Sequence, residues 1–182
     1  MKKKNRKGFS LVEVLVVMSI MMVLGAVAGL SISIVNNSNV SKAAKSLDSY
    51  FNDARIQGMA RGTSNGMLRL QVANGGQLYG YIGTPAPAAL DDWEKLTGSA
   101  VKVGYKAYAT GTNIEALATS CPELNDGDHH EITFAPSGRA QSASGTDLTQ
   151  IQVYTFTKGK RVCMFYFYPE TGKHGTRIYN LP

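Results

Sequence analysis

Between Glu13 and Lys42 the sequence holds no charged side chain, a gap of 28 residues. A helix rises about 1.5 Å per residue and a bilayer core is about 30 Å thick, so roughly 20 apolar residues suffice to cross it. The apolar run to Val35 is long enough to span with residues to spare. It follows a start in which Lys2, Lys3, Lys4, Arg6 and Lys7 are all basic. The odd feature is Glu13, a lone carboxylate just inside the run. A carboxylate at the centre of a membrane helix costs about 2.5–3.5 kcal/mol, and less near an end. An acid placed there calls for a compensating partner.

A basic start and an apolar core with a small-residue site at Ala26-Val27-Ala28 describe a secretory signal peptide. Against that reading, Glu13 sits inside the core and the apolar character runs on to Val35. A plain membrane anchor tolerates Glu13 as an N-terminal helix acid near the interface, but leaves the Gly8-Phe9 junction unexplained. The third reading uses every residue. Lys7-Gly8-Phe9-Ser10-Leu11-Val12-Glu13 closely resembles the class III signal of type IV prepilins and type II secretion pseudopilins. The resemblance implies cleavage by prepilin peptidase between Gly8 and Phe9, N-methylation of Phe9, and a mature chain whose fifth residue is Glu13. It also implies that Glu13 meets the Phe9 amine of a neighbouring subunit as helices bundle with an axial stagger. A carboxylate and an ammonium in a low-dielectric core stabilise each other, whereas either alone is costly to bury.

At 182 residues the chain has room for one soluble domain beyond the N-terminal helix. The formal net charge of +6 is misleading, because the leader through Lys7 supplies five of its positive charges. The remainder is close to neutral, which removes the argument for nucleic-acid binding from net charge alone. The positive-inside rule puts the leader in the cytoplasm and Lys42 onward outside, a single pass through the cytoplasmic (inner) membrane. Cys121 and Cys163 then face a compartment where disulfides persist. A bridge between them and two buried free thiols are both open readings.

Beyond Val35 the chain turns amphipathic with no proline to stop the helix. Val40, Ala43, Ala44, Leu47, Tyr50, Phe51, Ala54 and Met59 recur mostly at spacings of three and four, one face of a helix. Asn36-Asn37-Ser38-Asn39 is the weakest part by propensity and the place for a break. Gly62-Thr63-Ser64-Asn65-Gly66 ends the helix. Strands are expected at 67–73, 77–82, 101–109, 131–135, 151–157 and 161–168, with a short helix near Asp91–Leu96. The last two strands, joined by Lys158-Gly159-Lys160, read as a hairpin.

The predicted fold class is therefore α+β: a long N-terminal helix packed against an antiparallel, β-rich headpiece. The expected domains are a cleaved leader (1–8), a membrane or filament-core helix (9–35), an amphipathic helix (36–62) and a headpiece (63–182). Asp53-Ala54-Arg55-Ile56-Gln57-Gly58-Met59-Ala60-Arg61, together with Phe134-Ala135-Pro136-Ser137-Gly138, resembles the GspH/FimT branch of minor pseudopilins. That branch implies a two-sheet headpiece and a low-abundance subunit that initiates or caps a pilus, secretion or competence filament. The implied partners are prepilin peptidase, other pilin subunits and the membrane.

No nucleophile elbow, phosphate-cradling glycine loop or zinc-binding His-Glu helix is present, so no enzyme activity and no cofactor is expected. Asp126-Gly127-Asp128-His129-His130-Glu131 is the densest polar cluster, but its spacing fits no metal site and a solvated turn before a strand explains it. Lys158, Lys160, Arg161, Lys173 and Arg177 form a basic C-terminal region interleaved with Tyr154, Phe156, Tyr166, Tyr168 and Tyr179. Such a patch suits DNA phosphates and stacked bases, as in FimT-like subunits of DNA uptake, or a pilus-tip adhesin. The same residues equally serve as strand faces with lysines solvating a hairpin edge.

Overall fold

From Val40 to Ala54 the apolar spacing holds a helix, and nothing before Gly62 stops it. Helix α1 is Leu11–Arg61, 51 residues long. The computed structural model describes residues 10–114 and 121–181, the side chains at 27–34 excepted. The chain divides into two compact units, the first ending at Val35 and the second running from Asn36 to Pro182. The break expected at Asn36-Asn37-Ser38-Asn39 does not occur, and α1 is continuous there. Propensity differences of at most about 0.7 kcal/mol per residue are outweighed by the burial of Val40, Ala43 and Ala44 immediately after.

In the first unit the helix carries a large apolar surface with no cover. Leu11 is 81% exposed and Val14, among the least exposed of the run to Leu24, is still 45% exposed. Among the described residues no helix is long and apolar enough to cross a membrane. The expected span begins at Phe9 and runs through 27–34, so part of it lies outside the described residues.

In the second unit α1 buries Val40, Ala43, Ala44, Leu47, Phe51 and Ala54. The apolar face was expected to continue through Met59, which is instead half-exposed, while Gly58 is buried. A Cβ at Gly58 would lie 2.5 Å from the Phe134 carbonyl oxygen, so the helix backbone itself seats against the strand. Gly62, at φ 90°, ends the helix and donates its N–H to the Gly58 carbonyl at 3.0 Å.

Nine strands follow among the described residues: β1 (Leu68–Ala73), β2 (Gln77–Ile82), β3 (Glu94–Lys95), β4 (Lys102–Tyr108), β5 (His129–Phe134), β6 (Ala140–Ser142), β7 (Ile151–Lys158), β8 (Arg161–Phe167) and β9 (His174–Asn180). They form a five-stranded sheet ordered β3-β2-β1-β5-β6 and a four-stranded sheet ordered β4-β7-β8-β9, with every pairing antiparallel. The fold is α+β, with the helix packed on a β-rich headpiece. The β7–β8 hairpin is present with Lys158 paired to Arg161. The short helix expected at Asp91–Leu96 is instead a 3-10 turn, Leu90–Asp92, followed by β3.

The core lies between α1 and the inner faces of both sheets. Phe51 is its centre, with ring centroids 6.2 Å from Phe134 on the first sheet and 4.9 and 5.0 Å from Phe165 and Phe167 on the second. β7 is buried on both faces. Its outer face carries a second apolar cluster, in which Ile114, Ile151, Val153 and Met164 pack with Cys121, Tyr108 and Tyr166.

Candidate functional site: a capped helix start and a tyrosine-lined sheet face

Ser10 immediately precedes the apolar run, and its short hydroxyl suits an N-cap. The Glu13 N–H donates to Ser10 Oγ at 3.2 Å, and the Val14 N–H to the Ser10 carbonyl at 3.2 Å. Glu13 therefore occupies the first turn of α1, with the Ser-x-x-Glu spacing of a capping box. A carboxylate there meets the positive end of the helix dipole, which accounts locally for an acid at this position. Among the described residues no cation pairs with Glu13. The expected cleavage and methylation positions, Gly8 and Phe9, lie outside the described residues.

The C-terminal basic residues do not converge into one patch. Lys158, Lys160 and Arg161 cluster at the β7–β8 turn, where Lys158 Nζ donates to the Ser99 carbonyl at 3.4 Å. Lys173 sits at the far end of the hairpin, paired through its carbonyl with the Tyr168 N–H. Tyr168 is seven residues from Arg161 along the chain, a separation of about 23 Å in extended strand geometry. Tyr154 and Phe156 are wholly buried in the core and present no face to a ligand. Instead, Lys173 and Arg177 share a pocket of about 350 Å³ on the outer face of the second sheet with Tyr166, Tyr168, Thr112 and Ile114. Tyr179 lies on the same face, and burial pushes its hydroxyl up to about 12. The pocket combines positive charge with aromatic walls, which suits an anionic ligand bearing a flat or apolar portion.

The acidic cluster is structural. Asp126 accepts hydrogen bonds from the N–H groups of Gly75 and Gly76 at 2.9 and 2.7 Å, pinning the β1–β2 turn, and these bonds hold its carboxyl below the usual range. Asp128 accepts from the Asn125 N–H at 2.7 Å. Glu131 pairs with Arg69 at 2.8 Å. His129 points outward, whereas His130 turns into the space between the sheets. There its Nδ1 is 3.2 Å from the Tyr154 hydroxyl and its ring lies 3.9 Å from that of Tyr105. Burial lowers the His130 pKa, a shift that the Asp128 charge opposes. No group of metal-ligating side chains occurs among the described residues.

Cys121 and Cys163 are both free thiols, so of the two readings left open by the sequence the bridge is not the one formed. Cys163 belongs to the main core, and burial pushes its thiol up to about 11. Cys121 is half-buried on the outer side of the same sheet, 3.9 Å from the Val153 carbonyl.

One arrangement has no signature in residue spacing. Arg55 on α1 donates from Nε to the Gly138 carbonyl at 3.2 Å, and from its terminal nitrogens to Gly172 and Thr171 at 3.3 and 3.4 Å. It ties together the turns after β5 and after β8. The two segments that suggested the minor pseudopilin branch, 53–61 and 134–138, thus meet through Arg55 and Gly58. Only the glycines at the receiving turns hinted at so close an approach.

No curated protein and no solved structure matches the chain. A family model does: residues 3–29 match the prokaryotic N-terminal methylation motif. The match begins among the basic leader residues, crosses Gly8-Phe9 and the Ser10 cap, and ends within the apolar run. The motif implies processing by prepilin peptidase and assembly with other pilins. The chain thus carries the prepilin signal of type IV pilin-like, N-terminally methylated proteins.

Proposed function

We propose that the protein is a minor pilin or pseudopilin of GspH/FimT type, a structural subunit without enzyme activity. It is cut after Gly8, N-methylated at Phe9, held in the cytoplasmic membrane by a single pass with its headpiece outside, and passed into a pilus, secretion or competence filament that it initiates or caps. The observation that carries the reading is the bare apolar surface of Leu11–Leu24, which lies within the methylation motif. Such a surface is stable only in lipid or among other helices. Glu13 sets the register by meeting the Phe9 amine of a neighbour. Glu13→Gln preserves the capping-box geometry and removes the charge, so it separates the two roles. Co-expressed with prepilin peptidase, this variant is expected to be cut after Gly8 yet incorporated poorly into filaments. Normal incorporation would remove the registry role, and an uncut leader in the parent chain would remove the whole reading.

A second reading rests on the pocket formed by Lys173, Arg177, Tyr166 and Tyr168. As a binding module at a filament tip, this face would hold an anionic ligand such as a DNA strand. Phosphate contacts release counterions, so affinity measured across a salt series must fall with added salt. A flat salt dependence sinks the DNA version.

A further inference from the structure

The outer face of the first sheet has a different chemistry from the basic pocket. Strand register lays Tyr81, Arg69 and Glu131 in one row across β2, β1 and β5, and Tyr79, Gln71 and His129 in the next. Trp93, from the segment after the 3-10 turn, packs over Tyr81 with ring centroids 5.9 Å apart. Its indole N–H donates to the Pro87 carbonyl at 3.1 Å, which fixes the ring without spending its face. Between Trp93 and the strands lies a pocket of about 230 Å³ whose walls include Arg69, Gln71, Ala86, His129 and Glu131.

The polar groups of that pocket are largely unspent. Arg69 Nε lies 2.8 Å from Glu131 Oε1, an ion pair without hydrogen-bond geometry, so the buried Nε has no hydrogen-bond acceptor among the described residues. Among the described residues the other guanidinium nitrogens, the second Glu131 oxygen, the Gln71 amide and the His129 ring have no side-chain hydrogen-bond partner. Arg69 and Glu131 neutralise each other, so this pair lends the site no net charge to attract an ion. The volume falls below the roughly 300–1,000 Å³ of drug-sized pockets, which suits a single ring. An aromatic face carries negative charge density and accepts the polarised C–H bonds of a flat apolar surface. Planar amide, carboxylate and guanidinium groups meet vicinal hydroxyls in pairs. One ligand class has an apolar C–H face and a rim of neutral hydroxyls at this size.

We propose that this pocket binds one neutral sugar ring of a glycan, with its C–H face on Trp93 and its hydroxyls on Arg69, Gln71 and Glu131. The site is independent of the filament role and of the basic pocket. It stands on the central strand of the five-stranded sheet and its neighbour β5.

Trp93 is the single tryptophan of the chain, so its emission reports this site directly. The full-length protein would be held in a zwitterionic detergent without sugar headgroups. It would be titrated with the methyl glycosides of glucose, galactose, mannose and N-acetylglucosamine, with sorbitol and thymidine monophosphate as controls. A saturable change with at least one glycoside is expected, with a Kd on the order of 1–10 mM and no dependence on salt. The Gln71→Ala variant, whose side chain leaves the core untouched, should unfold at the parent temperature and bind about tenfold more weakly, the equivalent of about 1.4 kcal/mol. Absence of saturation with all four glycosides, an equal response to sorbitol, binding of thymidine monophosphate alone, or undiminished affinity in Gln71→Ala would each overturn the proposal.

Discussion

Cys121 and Cys163 lie against opposite faces of one sheet, the first beside the Val153 carbonyl on the outer side and the second among the phenylalanines of the core. With β7 and β8 between them, their side chains cannot meet unless the sheet opens. Mass spectrometry of the unreduced protein, alkylated in denaturant, should therefore find both thiols modified. Under native conditions Cys121 should react slowly. Cys163, buried and with its thiol pushed up to about 11, should react only on unfolding. A bridge would instead leave neither available, and closing a loop of about 40 residues would raise stability by about 4 kcal/mol over the reduced form.

Arg55→Ala removes the donor shared by the Gly138, Thr171 and Gly172 carbonyls. The bonds are charge-assisted but long and partly exposed, so a loss of about 1–2 kcal/mol is expected. Thermal unfolding should show it as a fall of a few degrees in Tm, and Arg55→Lys should restore only part, because one ammonium cannot reach both turns.

A methyl group at position 58 has no space to enter. In Gly58→Ala the new Cβ would lie 2.5 Å from one backbone oxygen and 2.8 Å from the Phe134 Cβ. Helix propensity favours alanine by about 1 kcal/mol, yet overpacking costs about 1–3 kcal/mol and here falls on backbone. The variant is expected to be less stable in a denaturant titration. A gain in stability would show that the helix end lifts freely from β5.

Acidification should weaken the headpiece in two stages. His130 has its folded pKa depressed by burial, so the unfolded chain binds more protons just below the ordinary histidine value of about 6.5. Its contribution is complete above that value and declines as pH falls towards the folded pKa. Asp126 is also depressed, through its bonds to Gly75 and Gly76, and its contribution fades only below the usual carboxylate value of about 3.9. His130→Gln should abolish the first stage and leave the second, as read by unfolding midpoints across pH.

Much of this fold is written in spacing. The three-and-four rhythm from Val40 to Ala54 describes the buried stripe of α1, and the Lys158-Gly159-Lys160 turn announces the β7–β8 hairpin. What spacing misses has physical causes. Gly58 has no side chain to enter a hydrophobic pattern, although it seats the helix backbone closely against β5. β3 and β6 have two and three residues, too few to show a period, and β9 is an exposed edge whose composition was not selected for burial. The basic C-terminal residues look contiguous in sequence, yet a hairpin carries Arg161 and Lys173 to opposite ends. The site on the outer first sheet draws on β1, β5 and the segment at Trp93, and no local motif joins such distant pieces.

Phe51 touches β5 of one sheet and β7 and β8 of the other. The strands therefore have no finished interior until the helix arrives, and a fragment beginning at β1 would expose two greasy inner faces to water. Any excised headpiece must retain α1 from Val40 onward. The same dependence makes the helix a shared keystone: a force that draws Phe51 from its seat would loosen both sheets together.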